Sequence, residues 1–466
     1  MIDLKLWDHQ KKIIGRAVPA RQYALFAEMG TGKTCASIQI VRQWCAGHGG
    51  VLKTLVFTPP TVRQAWYREF NQFSRLGPHV EVLDGPGAKR VNQFKHSGKK
   101  IFVTNYESLS MPELFKLFKA WSPEALIFDE SQRVKDMKAK RTKLAIELAD
   151  LAQFKLILSG TPILNSAMDI WAQFRILDGG QTFDKNFYAF RAKYFIDLNA
   201  GMPSHKRFPN WQPIPGIESV FNEKIYAKAT RVLKSECLDL PPLVRQRVEV
   251  ELAPEQQRMY ESMKEDYIAY LGDKACVASI ALTKGLRLQQ IVSGFWVDEE
   301  EKKEHGFKQN PRLLALAELL SEIAPVSKVI VWSSFRHSYA DIAGICNKLG
   351  LGYAVLLGGL TDKVRQESID NFQADTKTRV MIANAAAGGV GVTLTAASYM
   401  IYYSRSFHLE HDLQSEARCH RGGSEVHDKI TRIDIVAPGT IDEVILGALE
   451  RKENLASSIL RLRELL

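Results

Sequence analysis

Short runs of uninterrupted apolar residues recur along this chain, each followed by a polar cluster and then by apolar residues at helical spacing. Tyr23–Phe26 is the first such run, and Cys35–Trp44 behind it carries apolar positions with a helical period. KTLVFTPP, from Lys53, reads as a buried strand stopped by Pro59-Pro60, and VRQAWYREF after it as an amphipathic helix. IFVTNYESL (from Ile101), ALIFDESQ (from Ala125) and KLILSGTP (from Lys155) repeat the pattern, each closing on polar residues. Strands alternating with helices predict a parallel sheet covered on both faces. Ligands of such sheets sit at the carboxyl ends of the strands, where these polar clusters fall.

The rhythm breaks over residues 179–310. DGGQTFDKNFYAFRAKYF reads as helical and aromatic, Leu198–Gly216 as a long proline-bearing loop with the basic patch His205-Lys206-Arg207, and Pro241-Pro242 as a linker. Pro254 opens a helical stretch to about Leu271, and DEEEKKE from Asp298 is a solvated charge run. From Lys328 the strand–helix beat returns in KVIVWSSF, YAVLLGG, RVMIANA, YMIYYS and ITRIDIVA. The expected fold is α/β, with two tandem parallel-sheet lobes and helical insertions rather than a third sheet. The expected parts are a first lobe over 1–178, an insertion and linker over 179–240, a helical insertion over 241–310 and a second lobe over 311–466.

A length of 466 residues suits more than one core. The six cysteines include no pair closer than ten residues, which excludes CxxC zinc pairs and gives no disulfide framework. No apolar run approaches a membrane span, and Met-Ile-Asp-Leu-Lys does not open a signal peptide. The expectation is a cytoplasmic protein. The formal charge of +10 suits a polyanionic partner.

The chemistry concentrates at AEMGTGKT, Ala27–Thr34. Strand, glycine loop and helix make a phosphate-binding loop: Gly30, Thr31 and Gly32 turn backbone N–H groups toward phosphate, Lys33 brings charge and Thr34 a hydroxyl for Mg²⁺. The strict pattern has Gly where this chain has Ala27. Gln10, in LWDHQ, has an amide able to read adenine, although a solvated glutamine is the plainer alternative. Asp129 can hold the Mg²⁺ hydration shell opposite Thr34, and Glu130 can orient or deprotonate water. A solvated acidic turn is the alternative; the loop upstream and the apolar run before the pair argue against it. In DLQSEARCHR, Gln414, Arg418 and Arg421 fall at i, i+4 and i+7 and are expected on one helical face. Two guanidiniums there suit a γ-phosphate; pairing with Glu416 or Glu425 is the alternative. His408, His411 and His420 match no zinc pattern.

Taken together these motifs resemble the Swi/Snf-type DNA-translocating ATPases of helicase superfamily two. AEMGTGKT is similar to motif I, LVFTPP to Ia, VTNYESL to Ib, DESQRVK to II and SGTPILN to III. VIVWSSF is similar to motif IV, AAAGGVGVTLTAA to V and QSEARCHRGG to VI, while LKSECLDLPPLVRQ resembles the junction between lobes. Trp7, Gln132, Ala386, Thr393 and Gly422-Gly423-Ser424 depart from the usual residues.

The resemblance implies two RecA-like lobes with ATP and Mg²⁺ between them. Lys33, Thr34, Asp129 and Glu130 would serve the nucleotide and metal, and Gln10 the adenine. Arg418 and Arg421 would be arginine fingers beside Gln414. Gly160 and Thr161 would couple hydrolysis to lobe movement. Thr58, Thr104, Ser333 and Thr393 would grip nucleic-acid phosphates. The expected activity is a DNA-stimulated ATPase walking on duplex or branched DNA without sequence preference, monomeric, with no membrane partner. An RNA-directed motor and a slow ATP-gated DNA-binding module are the alternatives.

Overall fold

The computed structural model describes residues 6–160, 167–201, 209–237, 239–272, 278–298, 300, 302–386 and 392–451. The chain divides into two compact units, Met1–Leu238 and Asp239–Leu466.

Unit 1 is built on β1 (Gln22–Ala27), β2 (Thr54–Thr58), β3 (Val80–Val82), β4 (Ile101–Asn105), β5 (Ala125–Asp129) and β6 (Phe154–Ser159). A hairpin of β7 (Phe195–Asp197) and β8 (Trp211–Pro213) follows, and then β9 (Ala229–Val232). Seven of these strands form one parallel sheet in the order β3-β4-β2-β5-β6-β1-β9. The strands β2, β4, β5 and β6 are buried at every position because helices cover both faces, which is why they read as unbroken apolar runs.

Unit 2 contains β10 (Leu243–Glu249), a hairpin of β11 (Phe295–Val297) and β12 (Glu304–Gly306), then β13 (Lys328–Trp332), β14 (Gly352–Leu356), β15 (Thr378–Ala383), β16 (Ala397–Tyr402) and β17 (Ile430–Val436). Its parallel sheet runs β10-β17-β16-β13-β15-β14. Alternate residues of the central strands feed different cores. Val329, Val331, Val380 and Ile382 go to one face, Ile330, Trp332, Met381 and Ala383 to the other. The helices Pro254–Gly272 and Ala278–Val292 pack, through Tyr260, Leu288, Ile291 and Val292, on the helix Ile441–Glu450.

The middle of the chain differs from expectation. Within 179–198 only Phe187–Tyr194 is helical, and the rest turns into β7. Residues 179–310 also hold β7 to β12, two of which complete the main sheets: β9 flanks the phosphate-loop strand and β10 is the edge of unit 2. As edge strands, β9 and β10 are only partly covered, so ATRV and LVRQRVE keep polar residues and lack the apolar signature. The basic patch 205–207 lies outside the described residues.

Candidate nucleotide site

At the carboxyl end of β1 the chain turns through Gly30 (φ 87°) and Gly32 (φ 77°) into the helix Lys33–His48. Both glycines sit in the left-handed region that a side chain disfavours. At Gly32 a Cβ would also lie 2.3 Å from Gln10 Nε2. The loop is braced internally, Thr31 Oγ1 donating to Glu28 O at 2.7 Å. It is braced externally by the first turn of the helix Asp8–Ala20. His9 Nε2 lies 2.8 Å from Thr31 O, and Gln10 Nε2 donates to Gly32 O at 3.2 Å. Gln10 Oε1 accepts from Trp7 N, so its carboxamide is fixed in direction and retains one N–H and one lone pair.

Two strands away, β5 ends on the carboxylate pair. Asp129 Oδ2 accepts from Thr58 Oγ1 at 3.1 Å and from Trp66 Nε1 at 2.8 Å, and Tyr106 Oη donates to Asp129 O at 2.6 Å. Burial, and then the negative charge of Glu130, push the Asp129 carboxyl up to about 6. Glu130 follows in a left-handed conformation (φ 54°) that a glutamate adopts only at a cost, and it is buried. Its Oε2 accepts from Gln132 Nε2 at 2.8 Å, and Gln132 Oε1 accepts from Ser159 Oγ at 2.8 Å. This chain leads from the glutamate to the end of β6 and Gly160.

Lys33 closes the set. Its Nζ is 3.7 Å from Glu130 Oε1, and a Cβ on Gly160 would stand 3.5 Å from that Nζ. Among the described residues, neither Lys33 Nζ nor Glu130 Oε1 has a hydrogen-bond partner, although both are buried. A buried ammonium without an acceptor is costly in the folded chain. Phosphate oxygens would satisfy it, so the residues present fit a nucleoside triphosphate. The carboxylate pair and the Thr34 hydroxyl are a hard oxygen set that fits Mg²⁺.

In unit 2, the helix Leu409–Cys419 carries Gln414 and Arg418, both buried. Gln414 Nε2 donates to Glu410 Oε1, and Arg418 Nη1 lies 3.4 Å from Val392 O. Arg421 is beyond the helix end, yet its Nη1 reaches the same carbonyl at 3.3 Å. The two guanidiniums therefore meet at one backbone oxygen, without the continuous helical face that the spacing suggested. Glu416 is committed to Arg245 and Arg432, and Glu425 accepts from Gly423 N.

Comparison with known proteins gives this arrangement a context. The SNF2-related domain matches residues 19–294, and the helicase conserved C-terminal domain matches residues 311–423. The chain belongs to the SNF2-related family. A Caenorhabditis elegans homologue of the SWI/SNF-related matrix-associated actin-dependent regulator of chromatin subfamily A-like protein 1 is 27% identical over 96% of this chain and 61% of its own. An uncharacterized ATP-dependent helicase of Mycoplasma genitalium is 26% identical, over 96% of this chain and 41% of its own. The chain thus spans 61% and 41% of the lengths of these two relatives. A putative protein of Acyrthosiphon pisum secondary endosymbiont phage 1 is 23% identical, with 97% of each chain covered. The Sulfolobus solfataricus SWI2/SNF2 ATPase core in complex with dsDNA matches 98% of this chain at 22% identity and a TM-score of 0.45.

In this SNF2-family chain three of the expected phosphate grips make hydrogen bonds inside the fold. Thr58, Thr104 and Ser333 are buried, and their hydroxyls are spent inside the fold: Thr58 on Asp129, Thr104 on Ser108 Oγ and Ser333 on Ser404 Oγ. Thr58 instead steadies the carboxylate that the site needs. Thr393 is half-buried, and Thr161 lies outside the described residues. Sequence reasoning missed His9, Trp66 and Gln132. Trp66 leaves no local signal because its partner is 63 residues away. Gln132 sits two residues from Glu130 and was within reach of a local reading. Among the described residues no helix is long and apolar enough to cross a membrane.

Proposed function

We propose that this SNF2-family ATPase is a DNA motor that couples ATP hydrolysis to translocation along duplex DNA, remodelling forks, branched DNA or protein–DNA complexes. The observation that carries the nucleotide half of this reading is the buried Lys33 ammonium, 3.7 Å from Glu130 Oε1, beside Gly160 and without a hydrogen-bond acceptor among the described residues. Lys33 binds the outer phosphates, and Thr34 and Asp129 would hold Mg²⁺, which when bound would supply neutralisation of phosphate charge. Glu130, locked by Gln132, orients the attacking water and takes its proton; Arg418 and Arg421 answer the charge that spreads over the phosphoryl group. Gln10 keeps one N–H and one lone pair for an adenine edge. Thr393 is the remaining candidate for a backbone phosphate. Family membership and the charge of +10 support DNA as the polyanion.

The test is displacement of a triplex-forming strand from a linear duplex, with ATPase rates on duplex, forked and four-way DNA and on RNA. Wild type displaces the strand with ATP, and Lys33→Ala loses turnover by roughly a hundredfold or more. ATP-dependent binding without displacement, or stimulation by RNA alone, would overturn the reading.

A further inference from the structure

Beside the phosphate loop stands an exposed aromatic ring with no part in phosphate or metal binding. Trp7 is the N-cap of the helix Asp8–Ala20 and keeps 40% of its surface open to solvent. It is one of the positions at which this chain departs from the residues usual in the family. The loop itself holds the ring in place. A Cβ on Gly32 would stand 3.2 Å from Trp7 Cζ3 and 2.3 Å from Gln10 Nε2, so the indole and the carboxamide border the same glycine. His9 lies against the indole, the ring centroids 5.4 Å apart and the planes tilted by 35°. His9 is anchored in turn, its Nε2 being 2.8 Å from Thr31 O.

The start of the helix depends on the backbone of Trp7 rather than on its ring. Trp7 N donates to Gln10 Oε1 at 2.9 Å, and Lys11 N donates to Trp7 O at 3.0 Å. The ring can therefore be replaced while the frame around Gln10 is kept. A flat apolar surface left in water gains free energy when it is covered. With phosphates in the loop and a base edge at Gln10, the group brought beside this surface is a nucleobase. Every base has a π-face, so stacking on an aromatic side chain is nearly indifferent to which base it is. The edge is not indifferent. The remaining N–H and lone pair of Gln10 match N7 and the N6 amino group of adenine, whereas guanine offers two acceptors there.

We propose that Trp7 is the stacking wall of the purine subsite, its indole supplying affinity for the face of the base while Gln10 alone decides the base's identity. This rests on the nucleotide site proposed above and is independent of DNA translocation.

The experiment measures equilibrium binding to the full chain without DNA, in buffer containing Mg²⁺. The probes are non-hydrolysable analogues of ATP and GTP, and inorganic tripolyphosphate. Trp7→Ala should weaken both analogues by about tenfold, leaving the preference between them as in wild type. Tripolyphosphate has no π-face and should bind within about twofold of wild type, held by the loop alone. Trp7→Phe should recover most of the loss, and Trp7→Leu, apolar but without a π-face, should not. The ATP analogue should also quench indole emission in wild type, and Trp7→Phe should lose most of that quenching while still binding. Unchanged analogue affinity in Trp7→Ala would overturn the wall and leave the nucleotide site standing. An equal loss for tripolyphosphate would do the same, since the ring would then act through the phosphate loop, and so would full recovery by leucine. A changed preference between the two analogues would overturn the division of work with Gln10. If wild type binds neither analogue nor tripolyphosphate, the nucleotide reading fails and the wall with it.

Discussion

At the scale of single residues the site is a set of costs kept in the fold. Asp129 is buried beside Glu130 and held by Thr58 and Trp66, and its carboxyl is raised to about 6 by burial first and Glu130 second. With a folded value above the unfolded one, the protonated form favours the fold. The contribution is present in full below 3.8 and is lost as pH rises through about 6. Asp129→Asn keeps an oxygen for Trp66 and removes the charge. It should abolish ATPase activity while stabilising the nucleotide-free protein at pH 7 by about 1–3 kcal/mol. Urea unfolding at pH 4 and pH 7 checks this: the gap between variant and wild type should close at the lower pH. A variant less stable than wild type at pH 7 would mean that the carboxylate charge is well satisfied in the fold. Gly32 carries a different cost, since any side chain there meets Gln10.

At the scale of elements the arginine-bearing helix Leu409–Cys419 is seated by charge. Asp412 and Glu416, one turn apart, face Arg405 and Arg432, with Arg245 of β10 reaching Glu416. Both guanidiniums lie over the Tyr402 ring, at 4.2 and 4.4 Å from its centroid. Arg432→Met leaves Asp412 to Arg405 and Glu416 to Arg245, taking one of two arginine partners from each largely buried carboxylate, and should cost about 1–3 kcal/mol. Adding Asp412→Asn and Glu416→Gln should return more than half of it, which a mutant cycle in urea would measure. This network was not legible beforehand, because its members are spread over β10, β16, β17 and one helix and no local pattern joins them. The central strands were legible, since burial on both faces leaves an unbroken apolar run in the residues themselves. The three-residue β3 and the half-exposed β9 and β10 carry no such mark. In the same way the phosphate loop and Asp129-Glu130 were readable as contiguous motifs. The burial of Thr58, Thr104 and Ser333 was not, because polar residues at strand ends read alike whether they face solvent or each other.

At the scale of the whole molecule, the loop, the lysine, the carboxylate pair and Gln10 all belong to unit 1, while both arginines belong to unit 2. Binding and turnover should therefore separate. A ligand held at a hundred times its Kd stabilises its host by about 2.7 kcal/mol. For a domain of this size that corresponds to a shift of roughly 5–10 °C. Calorimetry of the full chain without DNA should show two transitions, and a non-hydrolysable ATP analogue should move chiefly the one assigned, by exchange of buried amides, to Met1–Leu238. Arg418→Ala should leave that shift within about 2 °C of wild type while lowering turnover by about 10³-fold. If the analogue moves both transitions equally, and the arginine variant loses the shift, then unit 2 contributes to ground-state affinity. Its guanidiniums would then be binding groups, and the assignment of their work to the transferring phosphoryl group would fail.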